Sequence, residues 1–522
     1  MLYGYEMRIV HHYIIYADKI NGTGFTGPSD CRKSPVRTGL FCINIVKYYW
    51  VTEMIIKNED KRRNVVIVDI ETLVPENHLL RKIDSCINWN KIYEFVEDLY
   101  SPNMGRPSVD PVVLVKMVFL QHLYGLRSLR QTAENVSVNI AFRWFLGYDL
   151  IDKTPHFSTL SYNFKHRFSS EVFEKIFTWV LEEAINGGYV QPEVIFVDST
   201  HIKANANSKK QMKKYIPAAV KAYEEQLYKE INEDRENHGR KTLNNESKRN
   251  EEQREVTAST TDPDSGLFHK GEHKKCFAYS AHTVCDQNNF ILEVEVTPGN
   301  IHDSIVFDTV YDRVTSRLPD VKVVTVDAGY KTPWICKKIF DDNRIPSMPY
   351  KRPMTRKGNH PWQEYVYDEY YDCIICPEYQ ILNYATTNRN GYREYKSNPD
   401  ICKNCPTRKK CTISRNCQKT VTRHIWHEYI ERAEDVRHSP LGKETYSMRS
   451  QTIERVFADA KEKHGMRYTT FRGLAQVRNW VRLKFAAMNL KKLALRGHVC
   501  PLFYRFWAIF LIFQRKQAFS PT

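Results

Sequence analysis

The chain predicts a mixed α/β fold: a sheet with helices on its faces, preceded by a helical region and interrupted by a cysteine-containing insertion. Three observations carry that prediction. Between Gln191 and Tyr350, short β-branched runs alternate with helical patterns, as in a layered sheet-and-helix domain. The stretch before it shows helical periods only. Six of the thirteen cysteines fall between Cys373 and Cys417.

Residues 1–63 form an irregular N-terminal extension with no sustained period, and Met54 offers an alternative start. Residues 64–185 read as a helical, helix-turn-helix-like domain. Asp110-Pro111 supplies an N-cap acid and a first-turn proline ahead of Val112–Leu123, and Gly125 ends that helix. Ser128 opens another helix, and Ser158–Phe168 makes a third that carries Lys165, His166 and Arg167. Short helices of this kind suit a DNA-reading module, or equally a bundle with a basic surface.

Residues 186–350 hold the first part of the sheet. Val194–Val197 is a strand ended by Asp198, Phe277–Asp286 and Phe290–Thr297 form a hairpin around Gln287-Asn288-Asn289, and Asp303–Arg317 is a helix. Lys322–Asp327, Thr332–Asp341 and Ile345–Tyr350 follow as strand, helix and strand. Residues 203–259 interrupt this order with a Lys-, Glu- and Asn-rich insertion, read as a solvated helical excursion, with a DNA-gripping arm as the alternative; Ala218–Leu227 is its best amphipathic turn. Residues 351–440 are the cysteine-rich insertion, 441–497 return to long helices, and 498–522 are a C-terminal tail.

Composition narrows the partner. Lys and Arg exceed Asp and Glu by 77 to 61, a formal charge of +16 that favours a polyanion. No run reaches the ~18–20 apolar residues of a membrane span; Phe506–Phe513 is far shorter. Met1–Glu6 lacks the pattern of a secretory signal. The cysteines are then expected to be reduced and the protein cytoplasmic, associated with the nucleoid. Clustered thiols there argue for metal before disulfide.

Three acids carry the chemistry. Asp198 and Asp327 each follow a buried four-residue run, and Glu454 lies on a helical stretch whose Ile453, Val456, Phe457 and Ala460 form an apolar face. A lone acid after a strand is usually a cap or turn former. Two of them, joined by a helical glutamate, can hold two divalent cations roughly 3.5–4 Å apart, the arrangement that clamps attacking and leaving oxygens in phosphoryl transfer. Lys461 follows Glu454 by nearly two helical turns and shares its face, where it can contact a phosphate. Asp459 and Lys463 form an i,i+4 pair. Asn300–Asp303 follows a strand and can place His302 or Asp303 near the metals, with capping of the next helix as the expected job of Asp303; His282 is expected to be structural or on a DNA-facing sheet surface.

The pattern resembles the DDE transposases of bacterial insertion sequences, specifically those with a tyrosine-arginine-glutamate-lysine signature. Leu73–Arg81, Gly105–Pro111 and Arg143–Gly147 are similar to that family's N-terminal helical domain. Asp327-Ala328-Gly329-Tyr330 is similar to its second-aspartate motif, and Glu454-Arg455 through Lys461–Met466 to its glutamate motif. The resemblance implies a ribonuclease-H-like core in which Asp198, Asp327 and Glu454 bind Mg²⁺ or Mn²⁺, with Lys461, Arg455, Arg449 and Tyr446 on DNA. It implies terminal inverted repeats and target DNA as partners and self-association on two element ends. One departure stands out. The signature's arginine and tyrosine positions are here Ser450 and Ser447, so Arg449 and Tyr446 are each displaced by one residue, about 100° on a continuous helix.

The cysteines allow two tetrahedral zinc sets. One is Cys376, Cys402, Cys405 and Cys411; the other joins the hooks Cys373-x₂-Cys376 and Cys402-x₂-Cys405. The family resemblance runs through Cys376-Pro377, Cys402–Pro406 and Cys411-Thr412 and so favours the first. Reduced cysteines without metal are the third reading. For the whole chain the alternatives are a metal-dependent nuclease of the same fold and a repurposed, non-enzymatic DNA-binding protein.

Overall fold

The computed structural model describes residues 67–101, 108–217, 223–243, 253–270 and 274–497. Residues 1–63, the tail 498–522, Gly105-Arg106-Pro107 and Ala218–Ala222 of the amphipathic turn lie outside them.

The main sheet is built from β1 (Val194–Lys203), β4 (Gly266–Lys270), β5 (Lys274–Asp286), β6 (Ile291–Pro298), β7 (Val323–Val326) and β8 (Ile345–Ser347); β2 (Gln211–Pro217) and β3 (Gln253–Ser259) form a separate antiparallel hairpin. Across the sheet the order is β4-β5-β1-β7-β8, with β6 also paired to β5. β5 runs antiparallel to β1, whereas β7 and β8 run parallel to it. The central strands are apolar without alternation because both faces are covered: Ile195, Phe196, Val197, Val324 and Val326 are fully buried. Asp198 does not end its strand. β1 continues past it to Lys203, paired with β5 throughout, and is extended by hydrogen bonds from Lys203 to Arg467 and Thr469.

The helices of residues 70–186 pack into the same core as the sheet. Pro111–Leu123 is capped by Asp110, whose side chain accepts from Val112 N at 2.7 Å. It is buried along almost its whole length because it lies against the C-terminal helix Leu474–Gly497. Ser170–Asn186 packs along that same helix. Lys165, His166 and Arg167 lie on a π-helical turn, Asn163–Arg167.

The second sheet is an antiparallel meander of β9 (Val366–Asp368), β10 (Cys373–Ile375), β11 (Ile381–Thr387), β12 (Tyr392–Lys396) and β13 (Thr420–His424), around Tyr365, Ile374, Leu382, Tyr395 and Val421. The charged insertion reaches this sheet. Its helix, Glu224–Asn237, buries Leu227 and Ile231 beside Trp426, and its buried Asp234 accepts from Arg393 Nε at 2.9 Å and Thr387 Oγ1 at 2.5 Å. The expectation of a solvated excursion is therefore corrected for this helix, because a buried carboxylate paired to a neighbouring sheet anchors it. The hairpin β2–β3 keeps Lys213, Lys214 and Tyr215 exposed.

Candidate active site

The parallel register places the two aspartates. Val197 is paired with Val326, so Asp198 and Asp327 come one residue later on adjacent strands, at the same end of the sheet. Asp327 Oδ1 accepts from Gly329 N at 2.8 Å, and Asp198 Oδ1 from Ser199 N at 2.7 Å. The second oxygen of Asp198 is engaged by Arg449 Nη2 at 2.5 Å. Burial pushes the Asp198 carboxyl up to about 6, the guanidinium working against it and Asp327 and Asp303 adding to it.

Glu454 stands on the first turn of the helix Ile453–Glu462, where an acid complements the helix N-terminus. It is exposed, on a helix that packs against β1 and whose Ile453, Val456, Phe457 and Ala460 are buried. Gly125 fixes the far end of that helix: its φ is +62°, and a Cβ there would stand 2.7 Å from Lys463 O. His464 Nδ1 lies 2.7 Å from His122 O on the same side. Lys461 is half-buried in the last turn, and Asp459 pairs with Lys463 at 2.8 Å.

Tyr446 and Arg449 do not share a continuous helix with Glu454. Pro440–Ser447 ends in a 3₁₀ turn at Met448–Ser450, and Gln451 and Thr452 intervene before the glutamate helix. The rotation argued from a single helix therefore does not apply. Arg449 is buried, its side chain 7% exposed, facing Asp198 and lying 5.6 Å from the Tyr446 ring. Arg455 is exposed.

Asp303 stands beside the aspartates, the other of the two places the sequence left open to it. It is the first residue of its helix, not the cap; the cap is His302, whose Nδ1 accepts from Ser304 N at 3.2 Å. Burial pushes the Asp303 carboxyl up, Asp327 adds to this, and a hydrogen bond from Ser199 opposes it. His282 is fully buried, as the structural reading expects, and burial pushes its imidazole down to about 3.

Carboxylate oxygens are hard donors suited to Mg²⁺ or Mn²⁺, and the buried Tyr330 hydroxyl, in the field of Asp303, Asp198 and Asp327, has no hydrogen-bond partner of its own. Among the described residues no three His, Cys, Asp or Glu side chains stand together as a ready metal site. In the insertion, Cys376, Cys402, Cys405 and Cys411 line one cavity of about 30 Å³ with His360. Cys373 does not line it. It sits buried in β10, in register with Asp368 and Asn383, so the competing pair of hooks is not brought together.

Residues 68–166 match the model of a Transposase domain (DUF772), and residues 375–494 match that of a Transposase DDE domain. Both models describe transposases. The transposase DDE match contains Glu454, Lys461, Arg449, Tyr446, Arg455 and the four cavity cysteines, whereas Asp198 and Asp327 lie between the two matched segments. No curated protein matches the chain. Among the described residues no helix is long and apolar enough to cross a membrane.

Proposed function

We propose that the chain is a DDE transposase that binds the terminal inverted repeats of a mobile element, cuts at their ends and joins them to target DNA. The observation that carries this reading is the register that seats Asp198 beside Asp327, with a glutamate helix from a transposase DDE segment packed on the same strand. The strand order, an antiparallel β6-β5-β1 followed by parallel β7 and β8, supports a ribonuclease-H-like core.

Asp198, Asp327 and Glu454 would hold divalent cations, which when bound supply Lewis-acid charge to the attacking and leaving oxygens. The residues' own work is placement. The register of β1 and β7 sets two carboxylates side by side, the glutamate helix would bring the third, and Lys461 nearly two turns on would meet the phosphate backbone. Arg449 neutralises Asp198 in the ion pair, and a cation held by Asp198 would take over that neutralising role. The helical segment 64–185 would read the repeats, and two ends acting together call for two copies of the chain. Zinc in the cavity of Cys376, Cys402, Cys405 and Cys411 would be structural, as soft thiolates favour.

The test supplies pre-cleaved element ends, target DNA and Mg²⁺. Joined products that vanish in Asp198→Asn are expected. Hydrolysis without joining would favour the nuclease, and joining that survives the substitution would remove Asp198 from the site.

A further inference from the structure

We propose that Asp303 is a fourth carboxylate of the divalent-cation centre, binding the cation together with Asp327 in the space beside Gly329. The inference rests on the reading of Asp198 and Asp327 as cation ligands and extends it to a residue outside the triad. Four observations converge on it.

The first is position. A Cβ built on Gly329 would stand 3.1 Å from Asp327 Oδ1 and 3.6 Å from Asp303 Oδ2, so oxygens from two different elements flank one point, and a methyl group there would press on Asp327. The second is charge. Asp198 and Asp303 both feel the negative charge of Asp327, and the guanidinium of Arg449 is paired with Asp198 and not with Asp303. Like charges so placed favour a bound cation over mutual repulsion.

The third is support. Ser199 and His282 are directly cross-strand neighbours on β1 and β5, and both face Asp303: Ser199 holds its carboxyl down against the effect of burial, and His282 Nδ1 lies 3.4 Å from Asp303 Oδ1. The other ring nitrogen of His282 is 2.8 Å from Thr297 Oγ1, so the imidazole is fixed in place. A ligating carboxylate oriented by a polar neighbour is how metal sites hold their donors. The fourth is incompleteness. His282 Nδ1, beside Asp303, and Tyr330 Oη, in the field of the three aspartates, are both fully buried and without a hydrogen bond. Buried polar atoms left so cost free energy unless a ligand and its waters complete them. His302 is the helix cap, and Asp303, as the first-turn acid, complements the helix N-terminus while its carboxylate stays turned to Asp327.

The experiment titrates the full chain with Mn²⁺ in the absence of DNA and follows free Mn²⁺ by electron paramagnetic resonance, with thermal unfolding as the fold control. Asp303→Asn is expected to weaken Mn²⁺ binding at least tenfold, and Asp198→Asn to weaken it as well. Affinity within twofold of wild type in Asp303→Asn, while Asp198→Asn loses binding, overturns the role of Asp303 and leaves the proposed function standing. Unchanged affinity in Asp198→Asn sinks the cation reading of the site itself. Should Asp303→Asn fail to fold, Gly329→Ala carries the same test, because its methyl group enters the space between the two carboxylates. A tenfold loss then supports the site, and an unchanged affinity overturns it.

Discussion

Replacing Arg449 by Met removes the cationic partner of a buried carboxylate. The side chains of Arg449 and Asp198 are 7% and 16% exposed, and they meet at 2.5 Å. With an effective dielectric near 20 and charge centres ~4 Å apart, their attraction is about 4 kcal/mol. Breaking one side of such a pair typically costs about 3–5 kcal/mol, because the remaining charge stays buried. Arg449→Met should therefore destabilise the metal-free protein by about that amount at pH 7.5. Much of the loss should return in Arg449→Met/Asp198→Asn, where neither charge is left. The assay is urea unfolding of the four proteins of the cycle, read at the transition that reports the sheet. A coupling energy below about 0.5 kcal/mol would refute a role for this ion pair in holding β1 against the turn before the glutamate helix.

Two further outcomes follow from buried groups elsewhere. Lys484 donates to His464 O inside the core, and burial pushes its ammonium down to about 7. Above that pH the folded chain carries it neutral while the unfolded chain still protonates it, so the unfolded state binds more protons and stability rises with pH from about 7 to about 10.5. Lys484→Met should accordingly show its largest advantage over wild type at pH 7 and lose ~1 kcal/mol of it per pH unit by pH 9; a pH-independent difference in urea midpoints would rule this out. In the cysteine cavity, zinc content measured by atomic absorption should fall from about one per chain to near zero in Cys405→Ser and stay at wild-type level in Cys373→Ser, because Cys373 is held in β10 away from the cavity. Equal losses in both variants would restore the competing set.

Much of the main sheet is legible in the sequence because buried parallel strands leave a strong local signature. Val194–Val197 and Val323–Val326 read as strands from composition alone, and the acids that follow them arrive at the same end because parallel pairing preserves register. The helix Asp303–Arg317 falls where expected. The failures are all long-range or depend on a choice between neighbours. His302 and Asp303 both suit a helix cap, and sequence cannot tell which one takes it; a second capping residue at the same helix start was the available signal. The pairing of Arg449 with Asp198 spans 251 positions and has no periodicity to announce it. The Glu224–Asn237 helix looks solvated by its charges, yet the charge that matters, Asp234, finds Arg393 on another insertion. A CxxC hook needs a turn between its thiols, and Cys373-x₂-Cys376 instead begins inside a strand, which keeps its first sulfur in the sheet.

The helix Leu474–Gly497 is the common wall against which Pro111–Leu123, Ser170–Asn186 and β6 all pack. It is also the last described element to leave the ribosome. During synthesis the earlier helices have an apolar flank with no partner, and a domain that folds as it emerges cannot close this one until Leu474–Gly497 is out. A chain stopped before that helix carries Asp198, Asp327 and Glu454 without the wall on which the earlier helices pack. Messages cut short before Leu474 would yield material for chaperones and proteases instead of a partly working protein.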